Sequence, residues 1–250
     1  MKMQGNTILI TGGGSGIGRG LAEAFHKLGN KIVIAGRRES VLAATASANP
    51  GMEYEVIDTS NAESIAAAAA KIVKRFPELN VVVNNAGVQR VIDFGAGYDD
   101  AAAQEEIATN ISGVLRMTAA FLPHLKTKAD AAIVNLSSGL AFVPMARFPV
   151  YSATKAFVHS FSMSLRLQLK KTGVRVIELA PPWVKTELDA THDAPTVHEG
   201  MSPMPLDAFI AAAMEELASD SDELKVAGAK FLYAGGVSEK QAATFEMINH

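Results

Sequence analysis

A glycine-rich stretch near the N-terminus constrains the fold more than any other part of the chain. The run Thr7–Ile10 is short, apolar and β-branched, as is typical of a buried parallel strand. The glycine-rich run Thr11–Gly18 follows at once, and apolar residues then recur at helical spacing from Leu21 to Leu28. Glycines in this context let the backbone approach a pyrophosphate, and the helix N-terminus offers N–H groups and a positive dipole. The stretch therefore predicts a dinucleotide-binding unit, with a flexible turn as the alternative. The residues expected to face the nucleotide are Gly12, Ser15, Gly16, Ile17 and Gly18.

The end of the second predicted strand indicates which dinucleotide is bound. An NAD-specific site would carry an acidic residue roughly 20 positions past the glycine loop, for the ribose 2′-hydroxyl. Gly36, Arg37 and Arg38 stand there instead, directly after Lys31–Ala35. A planar guanidinium suits a 2′-phosphate, so NADP(H) is the preferred cofactor and NAD(H) the less favoured one. The alternative is that both arginines are solvated charges at the start of the next helix.

Strand and helix patterns alternate along the rest of the chain. This alternation predicts parallel strands joined by right-handed crossovers in a doubly wound sheet. Without repeats, linkers or a second-domain boundary, we expect residues 1–250 to form a single-domain α/β Rossmann fold with a mostly seven-stranded parallel sheet. The polar, proline-containing segment at about 187–205 is expected to be a substrate lid. Further strands are predicted at Tyr54–Ile57, Val81–Val83, Ala131–Leu136, Gly173–Ala180 and Lys225–Ala227.

Two predicted helices have unusual features. The helix expected at Ile107–Leu122 carries Asn110 and Gly113 in its middle, where both residue types are unfavourable, and this hints at a local distortion. The helix expected at Tyr151–Lys171 is apolar on more than one side. One face can pack on the sheet while the other meets a partner subunit, so we expect a homodimer or homotetramer.

Small and polar residues follow several predicted strands, at the sheet edge where doubly wound folds bind ligands. Asn84-Asn85-Ala86-Gly87 closes the fourth strand, and its small side chains would let a flat ligand lie against the backbone. Asp58 and Thr59 end the third strand. The alternative interpretation of Asp58 is an N-cap for the following helix, and the two roles are compatible.

Tyr151 and Lys155 are four residues apart and share a face if the segment is helical. A phenol has a pKa near ~10 and is a poor base at neutral pH. A nearby ammonium favours the phenolate, and lowering its pKa by ~3 units corresponds to roughly 4 kcal/mol. Tyr151 would then be a usable proton donor or acceptor near pH 7. A surface pair on an amphipathic helix is the alternative.

Composition excludes several classes of protein. The net charge of −3, without any long Lys/Arg run, argues against nucleic-acid and membrane-surface partners. The absence of cysteine excludes disulfides, thiolate metal sites and a thiol nucleophile, and we expect no metal site. No apolar run is long enough to span a bilayer, and the first residues do not read as a signal peptide. We therefore expect a cytoplasmic protein.

Taken together, these motifs resemble those of the short-chain dehydrogenase/reductase family, over essentially the whole chain. Within the family the chain is most similar to the DltE-type oxidoreductases of bacteria, on Ser138–Phe142, Pro149–Tyr151 and Ala180–Pro182. One departure is Pro181-Pro182, where the family often has Pro-Gly, because the second proline lacks an N–H. The matching pieces are Thr11-Gly12-x3-Gly16-x-Gly18, Asp58, Asn84–Gly87, Asn110, Ser138, Tyr151-x3-Lys155 and Pro181–Thr186.

The resemblance implies an NADP(H)-dependent oxidoreductase that moves a hydride between nicotinamide and a small carbonyl or alcohol substrate. Tyr151 would be the general acid or base, and Ser138 would hydrogen-bond the substrate oxygen. Ser138 is chosen over Ser137 because it lies 13 residues before Tyr151, as in the family, and Ser137 is expected to face elsewhere. Lys155 would lower the pKa of Tyr151 and bind the nicotinamide ribose, and Asn110 would hold a relay water.

The resemblance also implies the remaining cofactor contacts. Thr186 and the Val184 backbone would hold the carboxamide, and Asp58 would meet the adenine. A non-catalytic dinucleotide-sensing protein on the same fold is the main alternative, although such proteins usually lose the tyrosine or the lysine. A methyltransferase-like Rossmann protein is less compatible with the motifs. The other expected contacts are Thr59, Asn85, Ala86, Gly87, Pro181, Tyr151 and Lys155.

Overall fold

The computed structural model of the chain describes residues 1–188 and 202–233, in which strands and helices alternate. The strands are β1 (Thr7–Thr11), β2 (Lys31–Gly36), β3 (Glu53–Val56), β4 (Leu79–Asn84), β5 (Ala132–Leu136), β6 (Arg175–Ala180) and β7 (Glu223–Lys225). The helices are α1 (Gly16–Lys27), α2 (Glu39–Ala48), α3 (Ala62–Arg75), α4 (Asp100–Ile107), α5 (Gly113–Leu125), α6 (Pro149–Leu169), α7 (Leu206–Leu217) and α8 (Gly228–Tyr233). A π-helical turn, Ala108–Ser112, joins α4 to α5, and a 3-10 turn, Gly139–Ala141, follows β5.

The seven strands form one parallel sheet in the order β3-β2-β1-β4-β5-β6-β7, which confirms the predicted doubly wound α/β fold. The chain runs outward from β1 to β3 and then crosses to β4 on the other side of β1. This reversal leaves a crevice at the carboxyl ends of β1 and β4, where doubly wound folds bind ligands.

Both faces of the sheet are covered, and this explains why the strands are apolar throughout. Ile8 and Ile10 of β1 pack on one side with Phe25 of α1, whereas Leu9 packs on the other with Phe121 of α5. Successive residues of a strand point to opposite faces. A strand between two helical layers must therefore be apolar at every position, as Thr7–Ile10 suggested.

The long predicted helix at Ile107–Leu122 is longer and less regular than expected. Helical structure begins at Asp100, where Asp99 caps α4 by accepting the Ala102 amide at 3.0 Å. The start was missed because α4 is largely polar or alanine and has little apolar periodicity. The predicted distortion is confirmed, since Asn110 lies in the π-helical turn.

The helix α6 is buried along the side that faces the sheet, at Lys155, Val158 and Leu165 among others. Phe157 and Phe161 lie on a partly buried side and stack on each other, with ring centroids 5.9 Å apart. A partner subunit against this side stays a prediction.

The predicted lid at 187–205 lies mostly outside the described residues. Val184, just before it, and Met204, near its end, pair in an isolated parallel bridge. The two ends of this segment are therefore adjacent. Within the described parts of the chain, no helix is long and apolar enough to cross a membrane.

Candidate active site

The glycine loop between β1 and α1 is locked against the end of β4. The Thr11 hydroxyl accepts the Asn85 and Ala86 amides, each at 3.0 Å. A Cβ on Gly18 would lie 2.3 Å from the Gly12 carbonyl oxygen, a separation that no side chain tolerates. Gly12 itself has φ +66°, a left-handed conformation that favours glycine. The backbone thus forms a tight cradle, and a side chain in place of either glycine would fill it.

The cradle opens into a crevice of about 450 Å³ at the carboxyl ends of the strands. The structure brings most of the predicted cofactor and catalytic residues together on its walls. Ser138, Asn110, Asp58 and Val184 do not line the crevice themselves. Ser137 lies on the wall, but its hydroxyl is buried without a hydrogen-bond partner among the described residues, whereas the Ser138 hydroxyl bonds to Tyr151. The predicted residues on the walls are Gly12, Ser15, Gly16, Ile17, Gly18, Arg37, Arg38, Thr59, Asn85, Ala86, Gly87, Tyr151, Lys155, Pro181 and Thr186.

Positive charge and free helix N–H groups lie at one end of the crevice. Ser15 is the N-cap of α1 but makes no side-chain capping bond, and the first turn carries no acidic residue. Arg38 Nη2 lies 3.1 Å from Ser15 Oγ and 3.5 Å from Glu187 Oε2. Arg37 Nη1 lies 3.7 Å from Glu105 Oε1. Both arginine side chains are more than half exposed at the rim, where a phosphate can reach them.

Asp58 does not cap the helix that follows it. Asn61 is the N-cap of α3, and its side chain accepts the Glu63 and Ser64 amides. That alternative interpretation of Asp58 is therefore wrong. The Asp58 carboxylate accepts the amide and hydroxyl of Ser60 at 2.9 and 2.6 Å. Burial opposes its ionisation, but the Ser60 bonds and the Arg37 charge outweigh this and lower the pKa of Asp58. The carboxylate thus stays ionised one residue from the crevice wall.

The pKa of Tyr151 differs from the sequence prediction. Removal of water from around the hydroxyl raises the pKa of Tyr151 to about 12, against a hydrogen bond with the Ser138 side chain that lowers it. The charge of Glu106 raises it further. The expected lowering by Lys155 is absent within the chain alone, so the Tyr151 hydroxyl keeps its proton at neutral pH. The Ser138 hydroxyl is nevertheless at hydrogen-bonding distance from the Tyr151 hydroxyl, as a shared substrate oxygen would require.

Lys155 is buried beneath Tyr151. Its Nζ donates to the Leu136 carbonyl at 2.8 Å and lies 5.6 Å from the centre of the Tyr151 ring. Burial lowers the pKa of Lys155 to about 8.

Asn110 holds the segment that follows β4 in place by hydrogen bonds to its backbone. Its Oδ1 accepts the Val88 amide at 2.9 Å, and its Nδ2 donates to the Val88 carbonyl at 2.8 Å and to Thr154 Oγ1 at 3.1 Å. A Cβ on Gly87 would lie 3.3 Å from Asn110 Oδ1 and 3.7 Å from Lys155 Nζ. Asn110 and Lys155 therefore both border Gly87. Through these bonds Asn110 holds Val88 and Thr154 in place, in addition to the predicted role in a water relay.

The other predicted contacts surround the mouth of the crevice. The Pro181 carbonyl accepts the Gly139 amide at 2.8 Å, which ties the end of β6 to the turn after β5. The Thr186 side chain lies beside the glycine loop, 3.5 Å from where a Gly16 Cβ would be. Val184 is buried and paired with Met204. No group of His, Asp and Glu suited to a metal ion occurs among residues 1–188 and 202–233.

Sequence reasoning missed two residues of this site. Glu106 is fully buried on α4, and Arg90 lines the crevice with its guanidinium bound to Glu105. The available signal was the position of Glu106, four residues before Asn110 and therefore on the same side of a helix. It was overlooked because the predicted helix began at Ile107.

The fold and the crevice define a class of protein, and comparison with known sequences agrees. The model of the short chain dehydrogenase family matches residues 6–196. The chain belongs to this family of oxidoreductases. Among individual relatives, it is 46% identical over 190 residues to the "Uncharacterized oxidoreductase DltE" of Bacillus subtilis (strain 168), covering 76% of this chain and 75% of the relative.

Solved structures show the same fold. A short chain dehydrogenase of Burkholderia cenocepacia J2315, in complex with NADP, is 28% identical with a TM-score of 0.82, and the match covers 98% of each chain. A 3-ketoacyl-(acyl-carrier-protein) reductase of Brucella melitensis, complexed with NADH, is 27% identical with a TM-score of 0.78, covering 89% of this chain and 97% of that one. The two neighbours hold different dinucleotides.

Proposed function

We propose that the protein is an NADP(H)-dependent oxidoreductase that interconverts a carbonyl compound and an alcohol, with Tyr151 as the acid or base. The observation that carries this proposal is the position of the Tyr151 hydroxyl. The hydroxyl is hydrogen-bonded to Ser138, the ring lies over Lys155 Nζ, and the residue lines a crevice whose other end is the glycine cradle. A dinucleotide in the cradle would extend toward Tyr151.

The residues present fit a nicotinamide dinucleotide. The glycine cradle and the uncapped N-terminus of α1 suit a pyrophosphate. Arg37 and Arg38 at the rim suit a 2′-phosphate, and the neighbour from Burkholderia cenocepacia binds NADP. The cofactor supplies the hydride. The protein holds the dinucleotide, orients the carbonyl and delivers the proton.

Tyr151 and Ser138 would both bind the substrate oxygen. In reduction, negative charge develops on that oxygen as a hydride reaches the carbonyl carbon. The Ser138 hydroxyl stabilises the charge by hydrogen bonding, and the O–H bond of Tyr151 breaks to give the alcohol and a phenolate. Because the pKa of Tyr151 is about 12, it holds its proton until that charge appears. Oxidation of the alcohol reverses these steps.

The Lys155 ammonium would lower the free energy of forming the Tyr151 phenolate, and it would help to hold the nicotinamide ribose. The ammonium is fixed by the Leu136 carbonyl beneath the tyrosine ring. Asn110 would support a water relay toward Lys155, since both side chains border Gly87. The predicted partner is a small carbonyl or alcohol substrate. The predicted homo-oligomer and cytoplasmic location remain proposals.

A substrate screen tests the reaction. The purified protein is incubated with panels of aldehydes and ketones and NADPH, and with alcohols and NADP⁺, while absorbance at the reduced-nicotinamide band is followed. We expect turnover with at least one carbonyl. Tight dinucleotide binding without turnover in any panel would favour the non-catalytic alternative and contradict the proposal.

Cofactor preference is tested by Arg37→Asp. Loss of a charge-assisted contact to the 2′-phosphate should lower the NADPH/NADH affinity ratio by about 10- to 100-fold. The same change at Arg75, which is bound to Glu53 at the end of α3, is the control for adding negative charge. The affinities are measured by quenching of protein fluorescence or by calorimetry. An unchanged ratio in Arg37→Asp would show that the 2′-phosphate assignment is wrong.

A further inference from the structure

Glu106 is a fully buried carboxyl group that the proposed reaction leaves without a role. It lies near the end of α4, with none of its surface exposed to solvent. Its Oε1 accepts the Arg90 amide at 2.5 Å, and its Oε2 is buried without a hydrogen-bond partner among the described residues. A buried carboxylate oxygen without a partner is costly. Such an atom in a native structure calls for an explanation.

Glu106 and Asn110 together hold the segment that forms one wall of the crevice. Asn110 binds the amide and carbonyl of Val88, and Glu106 binds the amide of Arg90 two residues later. Val88 and Arg90 both line the crevice. One oxygen of Glu106 therefore has a positioning role, and an amide side chain could fill it equally well. The second oxygen is what distinguishes a carboxyl group here.

The surroundings leave the second oxygen able to take up a proton. The Arg90 guanidinium is directed to Glu105, whose Oε2 accepts Nε and Nη2 at 3.0 and 2.7 Å. Burial raises the pKa of Glu106 to about 7, against the Arg90 amide and charge, and the charge of Glu105 adds to the rise. The helix α6 packs on α4, and Asn110, one turn after Glu106, donates to Thr154 Oγ1, which in turn donates to the Tyr151 carbonyl. The titratable groups on this turn of α6 are Tyr151, whose pKa the charge of Glu106 raises, and Lys155, whose pKa is about 8. Both protonation states of Glu106 are thus accessible near neutral pH.

We propose that Glu106 is a positioning residue for the Tyr151 acid: its free oxygen gains or loses a proton and so removes or restores a negative charge beside the Tyr151 hydroxyl. This rests on the proposed function. In reduction the Tyr151 O–H bond breaks and its oxygen keeps the electron pair, so a neighbouring carboxylate opposes the step and a neutral carboxyl does not. Reduction should therefore slow as Glu106 ionises, and Glu106 couples the rate to pH near neutrality.

The coupling is first tested without any substrate. Tyrosine labelled with ¹³C at Cζ gives one signal for each of the four tyrosines, and Tyr151 is assigned by the signal missing in Tyr151→Phe. We expect the Tyr151 signal to shift between pH 6 and 8 in the wild-type protein and to shift clearly less in Glu106→Gln, which keeps an acceptor for the Arg90 amide. The shift that remains in the variant comes from Lys155, whose pKa is about 8 and whose Nζ lies 5.6 Å from the centre of the ring. A Tyr151 signal that stays constant in the wild-type protein overturns the inference, whether or not the variant folds. So does a signal that shifts equally in a folded Glu106→Gln.

The matched control is Glu178→Gln. Glu178 is also a buried glutamate with one unpartnered oxygen, but its other oxygen binds His159 Nδ1 at 2.7 Å. This variant should keep the wild-type shift of Tyr151. Loss of the shift in Glu178→Gln as well would assign it to general loosening of the core and overturn the specific role of Glu106.

The consequence for catalysis is measured as kcat/KM for carbonyl reduction from pH 6 to 8. We expect a several-fold fall in the wild-type protein that is clearly smaller in Glu106→Gln, where only Lys155 still titrates beside Tyr151. Superimposable profiles, with turnover that still requires Tyr151, overturn the inference and leave the proposed function intact. A Tyr151 signal that titrates as described in a protein without any turnover supports the Glu106 coupling and contradicts the proposed function.

Discussion

Burial of the Lys155 ammonium should make the stability of the fold increase with pH, and Lys155→Met should remove this effect. The pKa of Lys155 is lowered from its ordinary 10.5 to about 8. Between these values the unfolded chain binds more protons than the folded one, so the free energy of unfolding rises with pH. The cost of the buried charge is largest below pH 8 and disappears above pH 10.5.

The size of the effect follows from the two pKa values. Between pH 7.5 and 9.5 the wild-type protein should gain about 2 kcal/mol relative to Lys155→Met, by proton linkage alone. Below pH 8 the full cost is roughly 3 kcal/mol, partly offset by the bond to the Leu136 carbonyl. Lys155→Met loses both the cost of the buried charge and the bond to the carbonyl. The informative quantity is therefore how the difference in free energy of unfolding between the wild-type protein and the variant changes with pH.

Urea denaturation at pH 7.5, 8.5 and 9.5 measures this difference for the wild-type protein and Lys155→Met. Lys170→Met, at the exposed end of the same helix, is the control for removal of a lysine. Its difference from the wild-type protein should not vary with pH. A constant difference for Lys155→Met would refute the reasoning, because it would mean that the ammonium keeps its full proton affinity in the folded protein.

Two further predictions concern stability around the site. Gly113→Ala would place a Cβ 2.7 Å from the Thr59 carbonyl oxygen. We expect the free energy of unfolding to fall by about 1–3 kcal/mol from overpacking, although alanine is the better helix former. Urea denaturation measures this change, and a gain in stability would contradict the close contact. Asn61→Ala removes the cap that binds the Glu63 and Ser64 amides and should cost about 1 kcal/mol. Serine is also a good N-cap residue, so Asn61→Ser should lose less stability than Asn61→Ala. An equal loss in the two variants would show that capping is not the cause.

The sequence was sufficient to predict the sheet and the glycine cradle because both depend on local patterns. The run Thr7–Ile10 is apolar because both faces of β1 are covered. Gly18 is required by its contact with the Gly12 carbonyl in the same loop, and Gly12 is favoured by its own left-handed conformation. The distortion at Asn110 was also predicted from local preferences, and it is a π-helical turn.

Features that depend on three-dimensional surroundings could not be predicted in this way. The spacing of Tyr151 and Lys155 indicates that they share a face, but not that burial would outweigh their attraction. The cap of α3 is Asn61 and not Asp58, because the helix begins later than the strand-end pattern suggests. Glu106 was missed because the predicted helix began at Ile107, one residue later, and because a charged residue on a largely polar helix is expected to be exposed.

The role of Tyr151 as the proton donor is the central claim, and Tyr151→Phe tests it most directly. The change removes the hydroxyl that bonds to Ser138 and leaves the ring above Lys155. Tyr54→Phe, whose hydroxyl lies 3.5 Å from Glu39 on the exposed surface, is the matched control. With a carbonyl substrate from the screen and saturating NADPH, we expect kcat to fall by about 10²- to 10⁴-fold in Tyr151→Phe and to stay near the wild-type value in Tyr54→Phe. Undiminished carbonyl reduction by Tyr151→Phe would contradict the assignment.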